Sequence, residues 1–150
     1  MKTILGIDNG LLGCLAFYNG EELILHDMPT IEVKGRRALD MQRIKQIILE
    51  DIPWHVYIEK TTPMPKLGGL PCYSMGHSEG FMLGLMTGFN IPYTLVRPND
   101  WKKAMGCPAD KGGAKQRASE LLPQFSHNWP LKKHHDRAES ALIALYGFQK

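Results

Sequence analysis

The sequence predicts an α/β domain: a mixed sheet that begins as an antiparallel meander and continues as strands alternating with helices, which cover its faces. Three observations predict it. Apolar, strand-length runs at 3–7, 14–18 and 22–26 follow one another with mainly turn residues between them. Two later runs, at 54–59 and 91–96, each follow a segment of helical pattern, and the remainder of the chain is helical without a further strand.

Residues 3–7 (Thr-Ile-Leu-Gly-Ile) read as a buried strand, closed by Asp8-Asn9-Gly10, whose short polar side chains and glycine suit a tight turn. Asn19-Gly20 between the second and third runs fits a type I′ hairpin turn. Residues 28–37 hold Pro29, Gly35 and scattered charges and read as a loop. Leu39, Ile44, Ile47 and Ile48 recur at roughly helical spacing with Arg43 and Lys45 outside, so 39–49 is an amphipathic helix stopped before Pro53. The strand 54–59, Trp-His-Val-Tyr-Ile-Glu, ends like the first on a carboxylate. A Pro- and Gly-rich loop at 61–71 follows, carrying Lys66 and the apolar Met64, Leu67 and Leu70.

Residues 74–88 form an apolar helix with Gly76, Gly80, Gly84 and Gly88 four apart on one stripe. Glycine costs roughly 1 kcal/mol relative to alanine inside a helix. The stripe therefore calls for another backbone at close range, either a second copy of the helix or the helix's own sheet. Residues 98–105, opened by Asn99 and Asp100, 112–122 and 136–146 complete the helices.

At 150 residues the chain is most simply one domain, 1–150, large enough for a core without disulfides or structural metal. Cys14, Cys72 and Cys107 are odd in number and far apart, which argues against a disulfide framework or a zinc site. No apolar run reaches the roughly 18–20 residues of a membrane span, and the N-terminus lacks a signal-peptide pattern; a cytoplasmic protein with no membrane partner is expected. The net charge is +3, but the cations are uneven: Arg97, Lys102, Lys103, Lys111, Lys115, Arg117, Lys132, Lys133 and Arg137 crowd the C-terminal part. Such a distribution suits a nucleic-acid partner.

The carboxylates that end or open apolar elements are Asp8, Glu59, Asp136 and Glu139. The last two are three apart and project from one helix face. Taken singly, Asp8 serves as a turn residue, Glu59 as a strand end paired with Lys60, and Asp136 with Glu139 as a helix capping box. Were the three elements to pack side by side, the four acids would converge, at a cost that a pair of hard cations removes. Mg²⁺ prefers oxygen ligands, and two such ions about 4 Å apart promote phosphodiester hydrolysis.

Ile4-Leu5-Gly6-Ile7-Asp8, then Tyr57-Ile58-Glu59 before a loop and a glycine-bearing helix, then His135-Asp136-Arg137-Ala138-Glu139-Ser140-Ala141-Leu142 together resemble the RuvC-type Holliday junction resolvases, especially their phage-like branch. Val96-Arg97-Pro98, Trp101-Lys102-Lys103-Ala104-Met105-Gly106, Lys111 and Glu120-Leu121-Leu122-Pro123 extend the resemblance over almost the whole chain. It implies a ribonuclease H-like fold with a five-stranded mixed sheet, a homodimer, a bacterial or phage-infected host cell, and Mg²⁺-dependent nicking of four-way DNA junctions and other branched DNA. Two Mg²⁺ per site are implied, with Mn²⁺ as a substitute, and products with 5′-phosphate and 3′-hydroxyl ends. Asp8, Glu59, Asp136 and Glu139 match the family's catalytic metal-binding acids, with Asp8 bridging both ions. Lys66, Arg97, Lys102, Lys103, Lys111, Lys115, Lys132 and Lys133 are the expected DNA contacts, one of them near the scissile phosphate. Met64, Leu67 and Leu70, beside the expected site, either pack locally or supply a residue that wedges into an opened junction.

Two departures stand out: Asn9 where the family commonly has proline, and Glu139 where it commonly has aspartate. Two other functions fit the same residues, a ribonuclease H-type nuclease acting on RNA/DNA hybrids and a branched-DNA-binding protein without catalysis. A branch-migration helicase partner is not legible in the sequence.

Overall fold

The computed structural model describes residues 1–110 and 112–150. In chain order the described elements are β1 (Ile4–Asp8), β2 (Cys14–Tyr18), β3 (Leu23–Asp27), β4 (Thr30–Val33), β5 (Arg36–Leu39), α1 (Met41–Glu50), β6 (His55–Glu59), α2 (Gly69–Gly88), β7 (Tyr93–Val96), α3 (Pro98–Met105), α4 (Gly113–Leu121) and α5 (His135–Phe148). Five strands form one sheet in the order β3-β2-β1-β6-β7. β1, β2 and β3 pair antiparallel, while β6 lies parallel to β1 and β7 parallel to β6. This is the mixed five-stranded sheet expected from the sequence.

The period-two alternation of a strand decides what each face meets. From β1, Leu5 and Ile7 enter a core shared with Leu15, Phe17, Val56 and Ile58, covered by Ile44, Ile47 and Ile48 of α1 and Met82 and Met86 of α2. The other face of β1 carries Gly6 and Asp8 toward α5. There a second core joins Ala138, Ala141, Leu142 and Leu145 of α5 to Trp101 of α3 and Ala114 and Ala118 of α4. Gly6 permits the close docking of α5: an added Cβ would come within 2.5 Å of the Ser140 carbonyl oxygen and 2.9 Å of Ala144 Cα. Any side chain at that position would push the helix off the central strand.

Three local expectations need correction. Residues 28–37 are not a loop. They contain β4 and the start of β5, a separate two-stranded sheet joined at Lys34-Gly35, whose φ values of +50° and +74° are the positive pair a type I′ turn uses. Asn19-Gly20 is not such a turn, since only Gly20 has positive φ. Instead the Asn19 side-chain oxygen accepts from the backbone N–H groups of Glu21 and Glu22, so a side chain closes the reversal. The loop after Glu59 is also shorter than expected, because α2 begins at Gly69 and places Leu70 in its first turn.

The glycine stripe of α2 faces away from the sheet. Ser78, Met82 and Met86 are its buried residues, two positions out of phase with the glycines and so on the opposite side of the helix. Built Cβ atoms on Gly76, Gly80, Gly84 and Gly88 meet nothing within 4 Å. Close packing against the chain's own sheet is thus not what these glycines serve. Among the described residues, no helix is long and apolar enough to cross a membrane.

Candidate active site

Parity and register bring the acids together. Asp8 ends β1 on the face that carries Gly6, and Glu59 ends the neighbouring parallel strand β6 one step beyond the Ile7–Ile58 pair. Adjacent strands run about 5 Å apart, so both carboxylates leave the same edge of the sheet. The first two turns of α5 lie over that edge with Asp136 and Glu139. Oxygens of Asp8, Asp136 and Glu139 lie within 4.8 Å of one another. Glu59 is a neighbour outside this tight group, and its carboxylate accepts the Trp101 indole N–H at 2.6 Å.

Ser140 fixes the rotation of α5 over β1. Its hydroxyl accepts the backbone N–H of Asp8 at 3.0 Å and donates to the Cys14 carbonyl at 2.5 Å, with the Gly6 carbonyl 3.3 Å away. The side chain is completely buried where β1 and β2 part. Gly13 completes this corner, since a Cβ there would collide with the Asp8 carbonyl. The helix is therefore seated by a hydrogen-bonded pin, and the acids one residue and four residues before Ser140 inherit its placement.

The capping-box reading of Asp136 and Glu139 fails, because α5 is preceded by His134 without a side-chain cap. Asp136 instead meets the imidazole of His135 at 3.1 Å, and Glu139 meets the Lys102 ammonium at 3.1 Å. Glu59 forms no ion pair with Lys60 among the described contacts; Trp101 holds it.

The electrostatics follow from burial and crowding. Asp8 is 7% exposed. Burial, then the nearby Glu59, Glu139 and Asp136, push its carboxyl well above the usual carboxylate range, and Asp136 is close enough to share its proton. Burial also raises Glu59, and the Trp101 hydrogen bond pulls it back in part. Burial lowers Lys102, but the charge of Glu139 and the hydrogen bond between them outweigh that and raise it. Cys14, behind Asp8, is pushed up to about 12 by burial and by Asp27 and Asp8, which keeps it an inert thiol.

One oxygen of Asp8 and both amide atoms of Asn9 are buried without a hydrogen-bond partner. Buried polar atoms are usually paired. A carboxylate with an orphaned oxygen, set beside two further acids, is what a hard divalent cation satisfies, so the donor set fits Mg²⁺ or a similar ion.

The expected basic residues separate by type. Lys102, Lys103, Lys115, Lys132 and Lys133 line a cleft of about 1580 Å³ that reaches Glu139 and His135. The arginines do structural work: Arg137 clamps Asp27 with two 2.7 Å bonds, Arg117 binds Glu120 and the Met105 carbonyl, and Arg97 pairs with Asp100 at the head of α3. Arg97 and Lys66 line neither this cleft nor the smaller one beside it, and Lys66 sits exposed on a short 3-10 turn, Pro65–Leu67. Lys111 lies outside the described residues. Met64, Leu67 and Leu70 are all exposed.

Trp101 and Ser140 are the site's supporting residues that sequence reasoning did not single out. A tryptophan in a helix opened by Arg-Pro-Asn-Asp looks like core, and it is fully buried; only the strand end at Glu59 reveals a use for its N–H. Ser140 carried one readable signal, a hydroxyl inside an otherwise apolar helix face.

The sheet order, with helices on both faces and acids at the edge shared by β1 and β6, defines a ribonuclease H-like fold. The structural neighbours are RuvC and Ydc2 Holliday junction resolvases. Thermus thermophilus RuvC, in a structure described as a complex with Holliday junction substrate, matches with a TM-score of 0.67 at 16% identity, covering 97% of this chain and 92% of that one. A second structure of T. thermophilus RuvC gives 0.63 at 17%, covering 96% and 92%. The yeast mitochondrial Holliday junction resolvase Ydc2 gives 0.61 at 18%, covering 97% of this chain and 77% of that one. No family model and no curated protein matches the sequence.

Proposed function

We propose that this chain acts, as one ribonuclease H-like domain, as a divalent-metal-dependent endonuclease that resolves four-way DNA junctions by paired nicking. The observation that carries this reading is the convergence of Asp8, Asp136 and Glu139 oxygens within 4.8 Å, where Asp8 also has a buried oxygen without a partner, at the edge of a lysine-lined cleft. The likeness of the fold to the junction resolvases supports the choice of substrate.

Asp8, Glu59, Asp136 and Glu139 would hold the ions. When bound, two Mg²⁺, or Mn²⁺ in their place, supply Lewis acidity toward water and toward the phosphate oxygens. The protein's own groups do the rest. Trp101 orients Glu59, and Ser140 seats Asp8 against α5, so the ligand oxygens are held before any cation arrives. Lys102 lies at the mouth of the site, with its ammonium on Glu139. From there it reaches a scissile phosphate and offsets the charge that builds there. Lys103, Lys115, Lys132 and Lys133 hold backbone phosphates, which position DNA without reading its sequence. The outward glycine face of α2 supports a homodimer, the arrangement that paired nicking requires. The products are 5′-phosphate and 3′-hydroxyl ends.

The test is a cleavage assay on a four-way junction, a flap, a duplex and an RNA/DNA hybrid, in Mg²⁺, in Mn²⁺ and in chelator. Symmetrical nicking of the junction with metal is expected. Asp8→Asn should reduce it roughly a thousandfold, the scale on which the loss of one charge partner of the transition state is felt, with junction binding retained. Equal cleavage by that variant, or preference for the hybrid, sinks the reading.

A further inference from the structure

We propose that the β4–β5 hairpin is a DNA-gripping arm that takes the phosphate backbone of a duplex at a second cleft adjoining the large lysine cleft beside the acidic centre. The proposal rests on the nuclease reading above and adds a second contact surface to it.

The hairpin stands apart from the rest of the fold. β4 pairs only with β5, in the register Thr30–Leu39, Ile31–Ala38, Glu32–Arg37 and Val33–Arg36, and residues 31–37 are all exposed. It is anchored only at its base, where Leu39 is buried and the Asp40 N–H donates to the Pro29 carbonyl at 2.9 Å. A lone two-stranded hairpin is marginal in water. The turn at Lys34-Gly35 preorganises this one, yet the body of the protein gains no packing from its outer half.

Its charge is the second observation. Lys34, Arg36 and Arg37 stand against a single acid, Glu32, and none of the three is in an ion pair among the described residues. The arginines at 97, 117 and 137 are all tied to carboxylates, so two unclaimed guanidinium groups on a projecting ribbon form a surface that the fold itself does not use. Guanidinium forks match phosphate oxygens in a way lysine does not.

Placement is the third. Thr30 and Arg37 line a second cleft of about 540 Å³ together with Lys133, His134, His135 and Asp136. Lys133 and His135 line the large cleft as well. The two clefts therefore adjoin across Lys133 and His135, with Glu139 in one and Asp136 in the other, and a duplex that follows them past the acids meets the lysines and then the hairpin. Strands of four residues span about 13 Å, and a two-stranded ribbon fits the major groove of B-form DNA.

The experiment measures binding of a fluorescent four-way junction and of a linear duplex, across a salt series, to full-length Asp8→Asn protein with and without Lys34→Gln/Arg36→Gln/Arg37→Gln. The neutralised protein should bind the junction about tenfold or more weakly at 0.1 M salt, and its log–log salt slope should be shallower by roughly two to three, one phosphate contact per lost cation. A second variant, Arg36→Lys/Arg37→Lys, should recover most of the slope. Unchanged affinity and slope in the neutralised protein, with its melting temperature preserved, overturns the proposal. So does a loss of dimer without loss of DNA affinity, which would give this face to a second copy of the chain. Failure of the wild type to cut junctions while the slope still falls would overturn the nuclease reading and leave the arm standing.

Discussion

Trp101 shows how much the acidic centre depends on a fully buried residue behind it. Its indole N–H is the only hydrogen-bond donor to the Glu59 side chain among the described residues, and it holds down a carboxyl that burial would otherwise raise further. Trp101→Phe keeps most of the volume and removes the donor. We expect cleavage to fall roughly ten- to a hundredfold, the usual effect of losing a group that orients a ligand. The acidic limb of the pH–rate profile should move to higher pH, because Glu59 then holds its proton longer; a limb that stays in place would show that Trp101 only packs. At this scale the sequence marked where the acids lie but not which cations have partners of their own. The carboxylates were marked by their positions at strand ends and at a helix start, whereas Arg97 and Arg137 have partners, Asp100 and Asp27, that only the fold reveals. Asn9, with its buried, unpartnered amide beside Asp8, does not have the surroundings of a simple turn residue.

At the scale of elements, α2 and the β4–β5 hairpin divide what could be read from what could not. The i, i+4 glycine stripe was plain in the sequence, but its direction was not, because an apolar sequence all round the helix leaves no polar face to mark the solvent side. The hairpin was missed because Lys34 occupies a left-handed position that asparagine or aspartate usually signals, and because Pro29 and the charges around it imitate a loop. The outward stripe permits a clean experiment. Gly80→Ala/Gly84→Ala adds methyl groups where nothing lies within 4 Å and improves helix propensity by roughly 1 kcal/mol per site. If the proposed dimer forms through this stripe, sedimentation equilibrium should show it weakened while the monomer's thermal stability holds or rises. A dimer of undiminished strength would mean that the stripe is not its contact.

For the whole molecule, the acidic centre makes stability depend on pH and on metal. In an unfolded chain, Asp8 and Glu59 titrate near their ordinary values of about 4. In the folded, cation-free protein both are raised. Between those limits the folded state binds more protons, so stability falls as pH rises above about 4 and the loss is complete once the raised values are passed. In chelator, Asp8→Asn should therefore melt a few degrees higher than the wild type at pH 8, corresponding to about 1–2 kcal/mol, with the gap closing toward pH 4. Millimolar Mg²⁺ should stabilise the wild type more at pH 8 than at pH 5. Scanning calorimetry checks both, and a wild type whose stability rises with pH in chelator would contradict them. The order of elements was legible from alternation and helical spacing at this scale. The seating of α5 on β1 was not, since it rests on a glycine and a serine far apart in sequence.

That seating also governs when the acidic centre is assembled. Asp8 and Ser140 meet across 132 positions, so the strand with the first acid is translated early and must wait for the helix with the last two. No earlier portion of the chain contains all four acids. A ribosome-bound intermediate, or a chain broken anywhere between those contacts whose fragments drift apart, lacks the assembled cluster. Convergence of the acids is thus a late event in the making of the fold, set by the pin between the first strand and the last helix.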